Sequence, residues 1–277
     1  MSEEAHDSPF AGEVKDGLKT IVLGSSFLFY ESVDSTSRVA RELATEGAIE
    51  GTVVFADEQT EGRGREGRSW FSAPGSVQLS VILRPNTSPS KAHMVTLMTG
   101  VAVAKTIRYY GIDARIKWPN DIIVGGKKVC GILSEMGILE DALDYIILGI
   151  GVNVNVDIDL YPNELKEMTT SLKAELGRDI PRIEFIQSLL WELEYQYKLF
   201  EKHDLTTISD EWEALSDTLG SWVKITTQKE MLEGEAIEIN LDGALVLKLK
   251  DGSLRTIFTG DCTHCRGIGI EDGESDR

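Results

Sequence analysis

Hydrophobic residues recur along this chain with two different periods, and the changes between them mark out its elements. "FLFY" at 27–30 and "TVVFADEQ" at 52–59 are short apolar runs of strand composition. In "SVQLSVILRP", Val77, Leu79, Val81 and Leu83 alternate with smaller or polar residues, which predicts a strand with one buried face. Val39, Ala40 and Leu43 instead share one side of a helix that Asp34, Ser35 or Thr36 would cap. From Ser90 to Tyr110, Met94, Leu97, Met98, Val101, Ala104 and Ile107 keep helical spacing until Gly111 ends it. Strand-like pieces follow in "ARIKWP", "DIIV", "KVCGILSEM" and "DYIILGIGVNVN", with Gly125-Gly126 predicting a hairpin turn. Helices are expected in part of 164–176, over 182–202 and in "TTISDEWEALSDTL".

After Gly220 the texture shifts to four or five short strands separated by Gly, Asp and Asn turns, the pattern of a small β-barrel. Strands and helices mix without regular βαβ alternation, so the larger part reads as α+β with a mixed, largely antiparallel sheet. The expected divisions are a disordered or linking N-terminal tail (1–20), a catalytic domain (21–218), a small barrel (219–270) and an acidic tail (271–277).

Composition narrows the chemistry. The 277 residues carry 28 Lys and Arg against 46 Asp and Glu, a formal charge of -18. Such a surface repels phosphate backbones and anionic lipid, so neither nucleic acid nor membrane is expected as a partner. No apolar run is long enough to span a bilayer, and the acidic start "MSEEAHDSPF" is not a signal peptide, which makes the cytoplasm the default location. Three cysteines form no disulfide framework. Cys262 and Cys265 make a CxxC around His264, but one such pair leaves a metal underligated.

Against that acidic background, "GRGREGRSW" at 62–70 stands out. Glycine supplies backbone freedom and arginine a permanent cation with a bidentate fork, a combination suited to a loop that closes over an anion. It is neither a dinucleotide-binding nor a Walker A loop, because it lacks Lys-Ser/Thr and leads into a strand. In "KWPNDIIVGGKKVCG", Pro119 makes a rigid corner from which Lys117, Asn120 and Asp121 project, and Lys127 and Lys128 follow the glycine hairpin. "GIGVNVN" sets Asn153 and Asn155 on one face of a strand. The four histidines, at 6, 93, 203 and 264, suggest no triad. Cations with a hard-oxygen group fit stabilising charge on a phosphate ester better than covalent catalysis.

These residues, together with "ESVDSTS", "KKVCGILSEM" and "MTTSL" in order, resemble biotin protein ligases over about 25–265. The resemblance implies a catalytic domain like that of class II aminoacyl-tRNA synthetases and an SH3-like C-terminal barrel. Some 25 residues before the first strand leave no room for the winged helix of repressor-type members, so no transcriptional repression is expected. Laid on matching positions, the family's biotin site would be Ser35, Thr36, Ser37, Gln59, Gly62, Arg63, Gly64, Arg65, Lys128 and Gly131. ATP would meet Arg63, Arg65, Arg68, Trp70, Lys117, Asn120 and Asn153, and Asp121 would take Mg²⁺. Lys128, Arg65 and Asp121 would be catalytic. "STS" stands here for the usual "STN", so Ser37 replaces an amide, and Cys130 is read as packing. The implied reaction makes biotinyl-5'-AMP and passes biotin to a lysine of a carrier domain. A homodimer through a sheet edge around 143–155 is a further implication, and Arg255 a candidate contact of the barrel. A lipoate or octanoate ligase, or a non-catalytic biotin-binding regulator, are the alternatives.

Overall fold

The structure is a computed structural model that describes residues 8–264. A seven-stranded sheet runs β1-β2-β3-β7-β6-β5-β4, formed by Phe27–Val33, Val53–Gln59, Val77–Leu83, Ala142–Val152, Lys127–Leu139, Asp121–Val124 and Arg115–Lys117 in that order. Only β1 and β2 are parallel; every other pair is antiparallel, as expected of a mixed sheet. The Gly125-Gly126 turn joins β5 to β6, both glycines having positive φ (56° and 80°). From Ile146 to Val152, β7 is paired on both sides, so the segment expected to form a free sheet edge is interior.

Helices cover the two faces unequally. On one face α3 (Ala92–Tyr109) and α6 (Arg182–Glu201) pack over the sheet, and α3 reads as apolar all round because it is enclosed. On the other face the short α2 (Thr36–Thr45) covers only part of the strands, through Val39, Ala40 and Ala44 against Val54, Ile82 and Ile147. The uncovered remainder of that face is the floor of the site described below.

The N-terminal stretch departs from expectation. Residues 9–17 are helix α1, with Ser8 as N-cap and Pro9 in its first turn; Ala11 and Val14 are buried against α6. Acidic composition suggests a solvated tail, yet Phe10, Ala11, Val14 and Leu18 supply an apolar side, and Phe10 stacks on Phe55. The chain then turns at 20–23, where the buried carboxylate of Glu194 accepts three consecutive backbone N–H bonds from Ile21, Val22 and Leu23. Short helices α4 (Asn163–Lys166) and α5 (Leu172–Leu176) precede α6, and α7 (Leu205–Leu215) follows it.

Beyond α7 comes a five-stranded sheet, β11-β10-β9-β8-β12, from Leu254–Ile257, Leu245–Leu249, Met231–Ile239, Trp222–Thr226 and Asp261–His264, antiparallel throughout. This is the expected small β-rich unit. It docks on the larger domain through the Lys91–Asp242 ion pair (2.6 Å) and the ring contact of His93 with Phe258. Among the described residues no helix is long and apolar enough to cross a membrane.

Candidate active site

Three glycines open the exposed sheet face. Gly131 of β6 pairs directly with Gly151 of β7, and Leu133 with Gly149. A side chain at any of these glycines would meet a neighbour: a Cβ on Gly149 would lie 2.8 Å from Ser37 Oγ, and one on Gly151 2.6 Å from Trp70 Cε2. The resulting cavity encloses about 400 Å³.

At one end sits a nest of small polar groups at the start of α2. Gln59 Oε1 accepts from the backbone N–H (2.9 Å) and the hydroxyl (3.1 Å) of Thr36. The Thr36 and Ser37 hydroxyls both meet Ser80 Oγ, at 2.9 and 3.0 Å. Gln59 Nε2 donates to Gln78 Oε1 (2.8 Å), whose own amide donates to Ser72 Oγ. Ser35 Oγ is buried without a hydrogen-bond partner. This interlinked set can read a small polar ring held against the sheet.

Over the cavity folds the glycine-arginine loop, here called the flap. It closes on itself, Trp70 N donating to Gly62 O (2.8 Å) and Gly64 N to Arg68 O (2.7 Å). Gly62 cannot carry a Cβ, which would fall 2.5 Å from Trp70 O. The tip takes left-handed backbone at Glu66 (φ 55°) and Gly67 (φ 75°). Arg65 turns inward, its guanidinium donating to Asn120 Oδ1 (3.0 Å) and to Thr259 Oγ1 (2.6 Å) of the small domain. Burial lowers its pKa, with Glu66 and Asp261 working in the opposite direction; a guanidinium nonetheless stays charged. Arg68 pairs with Asp261 (2.8 Å) and Arg63 with Glu135 (3.3 Å).

Lys128 and Asp121 form the opposite wall, joined by a 2.6 Å ion pair, with Lys128 Nζ 5.7 Å from the centre of the Trp70 ring. The backbone of Lys128 is held by the "MTTSL" segment: its N–H donates to Met168 O and its carbonyl accepts from Thr170 N. Asn120 stays at the corner by exchanging hydrogen bonds with the backbone of Ile132.

Thr36, Ser37, Gln59, Arg63, Gly64, Arg65, Arg68, Trp70, Lys117, Asn120, Asp121, Lys128 and Gly131 all line this one cavity. Ser35 and Gly62 are not among the lining residues. Asn153 does not fit its expected role with nucleotide. It lies beyond the end of β7, almost wholly buried, with Nδ2 donating to Thr170 O (3.1 Å) and Oδ1 accepting from Tyr161 (2.7 Å). Asn155 is likewise spent, bridging the backbone of Ile180. Asn153 therefore braces the chain behind Lys128, and Asn155 ties its own segment to Ile180. Arg255 pairs with Glu230 on the small sheet and lines no part of the cavity. Cys130 is fully buried, where desolvation pushes its thiol pKa up, in keeping with packing. Cys262 lines the cavity, whereas Cys265 lies outside the described residues.

Sequence reasoning passed over Gln78 and Ser80. Alternation in "SVQLSVILRP" suggested one buried face, but all seven residues of β3 are buried, and Ser80 and Gln78 hold the lining residues Thr36, Ser37 and Gln59. It also left open the role of the small domain, which contributes Asp261, Cys262 and Thr263 to the cavity wall.

A model of the biotin/lipoate A/B protein ligase family matches residues 29–153, and one of the biotin protein ligase C-terminal domain matches 218–264. The bifunctional ligase/repressor BirA of Bacillus subtilis is 40% identical over 251 residues, 90% of this chain and 77% of that protein. The chain belongs to the biotin protein ligase family. A biotin--[acetyl-CoA-carboxylase] ligase of Mycobacterium tuberculosis is 34% identical, covering 80% of this chain and 83% of its own. Among solved structures, a biotin protein ligase from Aquifex aeolicus in complex with biotin and ATP superposes with TM-score 0.76 at 28% identity, over 88% of this chain and all of that one.

Proposed function

We propose that the chain activates biotin with ATP to biotinyl-5'-AMP and transfers the biotinyl group to a lysine of a biotin carboxyl carrier domain. The observation that carries this reading is one cavity with a hydroxyl-amide nest at one end and Lys128, Arg63, Arg65 and Arg68 around the other. The nest suits the polar ring of biotin and the cations suit a carboxylate beside a phosphate chain. In the first step a biotin carboxylate oxygen bonds to the α-phosphorus and the bond to the departing pyrophosphate breaks. Lys128 and Arg65 face the charge that builds on the phosphoryl oxygens. In the second, an ε-amine that has shed its proton attacks the acyl carbon, and AMP leaves with the bonding pair. The flap, with Trp70 beneath it, keeps water from the mixed anhydride.

Magnesium travelling with ATP needs only one or two protein carboxylates beside the phosphate oxygens. Among the described residues no three His, Cys, Asp or Glu side chains converge, but Asp121 and Asp261 both line the cavity and meet that smaller requirement. Such a cation would offset phosphate charge; Asp121 would release Lys128 on taking it up.

The test is exchange of labelled pyrophosphate into ATP, measured with biotin, lipoate and octanoate. Exchange with biotin alone is expected. Its absence with biotin, or equal rates with the straight-chain acids, would overturn the reading.

A further inference from the structure

One buried-side carboxylate near the cavity has no part in the chemistry above. Glu135 lies on β6, two and four residues beyond Leu133 and Gly131, and in register with Ile147, so it shares their face of the sheet. Its Oε1 is 2.5 Å from Arg41 Nη2 of α2 and 3.3 Å from Arg63 Nη1 of the flap, while Oε2 is buried. One oxygen thus holds a guanidinium from each of two elements, α2 and the flap. The first element begins with Thr36 and Ser37, and the second carries Arg65 and Arg68.

A carboxylate between two arginines is worth most when partly withdrawn from water, and the Glu135 side chain keeps only 21% of its exposure. Position matters as much as charge. Arg63 stands at the flap's ascending base, where Arg63 and Ser69 form an isolated bridge, so anchoring it fixes the direction in which the rest of the flap leaves the sheet. Arg41 lies on the second turn of α2, so the same carboxylate also fixes the roll of the helix whose first turn presents the hydroxyls.

Resting on the ligase reading, we propose that Glu135 is a positioning residue that couples the biotin-reading end of α2 to the flap, so that the flap is aligned before the adenylate forms. It touches no reacting atom. Its loss loosens the base of the flap and the seat of the ring together, raising the KM for biotin and speeding escape of the adenylate while leaving kcat for exchange nearly unchanged.

Glu135→Gln keeps the volume and removes the charge. In the free protein, trypsin is expected to cut the flap about fivefold faster in this variant, a change of the size a half-exposed ion pair supports. In biotin-dependent exchange the KM for biotin is expected to rise by a similar factor with kcat within about twofold. Arg41→Gln, which leaves Glu135 in place, is expected to act in the same direction, and the double variant to be no worse than Glu135→Gln, because both remove one linkage. Flap cleavage and KM within about twofold of wild type in both single variants, or additive effects in the double, would overturn the coupling. Wild-type protein without biotin-dependent exchange would remove the ligase reading, while the proteolysis comparison would still decide whether Glu135 tethers the flap.

Discussion

Replacing Gly151 by alanine tests the floor of the site with one methyl group. The glycine does not have positive φ, so alanine meets no backbone penalty and the effect is steric. The added carbon would lie 2.6, 2.8 and 2.9 Å from Cε2, Cζ2 and Nε1 of Trp70. Contacts between carbons are comfortable near about 3.5–4.0 Å, so the indole must retreat by about 1 Å. Trp70 is pinned on its other edge by Gly131, whose own Cβ position is 3.0 Å from Cζ3. The ring therefore cannot slide along the floor and has to lift from it, toward the space that a bound nucleotide would use.

Forced repacking of this kind costs about 1–3 kcal/mol, and a half-buried ring with one open side belongs at the low end. About 1.4 kcal/mol taken from ligand binding is a tenfold change in affinity. Gly151→Ala is thus expected to raise the KM for ATP about tenfold in pyrophosphate exchange, with a melting temperature lowered by only a few degrees. The Trp70→Ala variant should be impaired on its own, and adding Gly151→Ala to it should do no further harm, since the clash has gone. A Gly151→Ala protein with wild-type KM for ATP, or a double variant worse than Trp70→Ala alone, would refute the reasoning.

Arg65→Gly removes the guanidinium that reaches Asn120 and Thr259, each a charge-assisted bond of about 1.5–3 kcal/mol before solvent screening. The adenylate should then escape at least about tenfold faster and label other proteins; retention equal to wild type would end the gating role. Glu194 has its pKa lowered: burial alone would raise it, but Lys198 and the N–H groups of Ile21, Leu23 and Val22 outweigh that. Its contribution is present above the ordinary carboxylate range and is lost as pH falls through the lowered value. Glu194→Ala should cost about 3 kcal/mol in urea unfolding at neutral pH, and a loss under about 1 kcal/mol would show the three N–H groups find other partners. His93 has its pKa lowered by burial and then by Arg65, so the folded state binds fewer protons than the unfolded chain between the two values. Stability is therefore present above pH 6.5 and falls on acidification below it, and His93→Gln should flatten that part of the curve. An unchanged slope in thermal melts across that range would count against the assignment.

The parts of the site legible in sequence are those whose chemistry is local. A loop that concentrates three arginines among glycines, and a Lys-Trp-Pro-Asn-Asp corner, announce themselves because each motif is contiguous and each residue type is costly to place without a purpose. Gln78 and Ser80 were illegible for a physical reason. Alternation equates polar with solvent-facing, and that equation fails on a strand buried on both faces, where Gln78 and Ser80 bond Gln59, Thr36 and Ser37. Asn153 misled in the opposite way: an amide on an apolar stretch signals a partner, and the partners proved to be Thr170 and Tyr161 of the same chain. Helix α1 was hidden by counting charge over a window, when three or four apolar side chains at helical spacing were enough to dock it. Contacts between the flap and the small domain join residues almost two hundred positions apart, and no local pattern encodes such a pairing.

The concentration of cations in so acidic a chain finds its explanation in their partners. Each has an oxygen already in hand: Glu135 for Arg63, Asn120 and Thr259 for Arg65, Asp261 for Arg68, Asp121 for Lys128. Without these, the like charges of Arg63, Arg65, Arg68, Lys117 and Lys128 around one cavity would repel one another and hold the flap open. With them, much of that charge is offset and the flap can rest over the cavity. An anionic ligand would then enter by exchange, its phosphate oxygens replacing protein oxygens. Exchange gives up affinity, because every new contact is measured against one that is lost, and gains discrimination, because a ligand lacking the full set of oxygens leaves a protein pair in place. Biotin alone offers one carboxylate and can displace few of these partners; the adenylate adds a phosphate and displaces more. On the proposed two-step reaction, the same set of ion pairs would therefore hold the activated acid more tightly than the vitamin it came from.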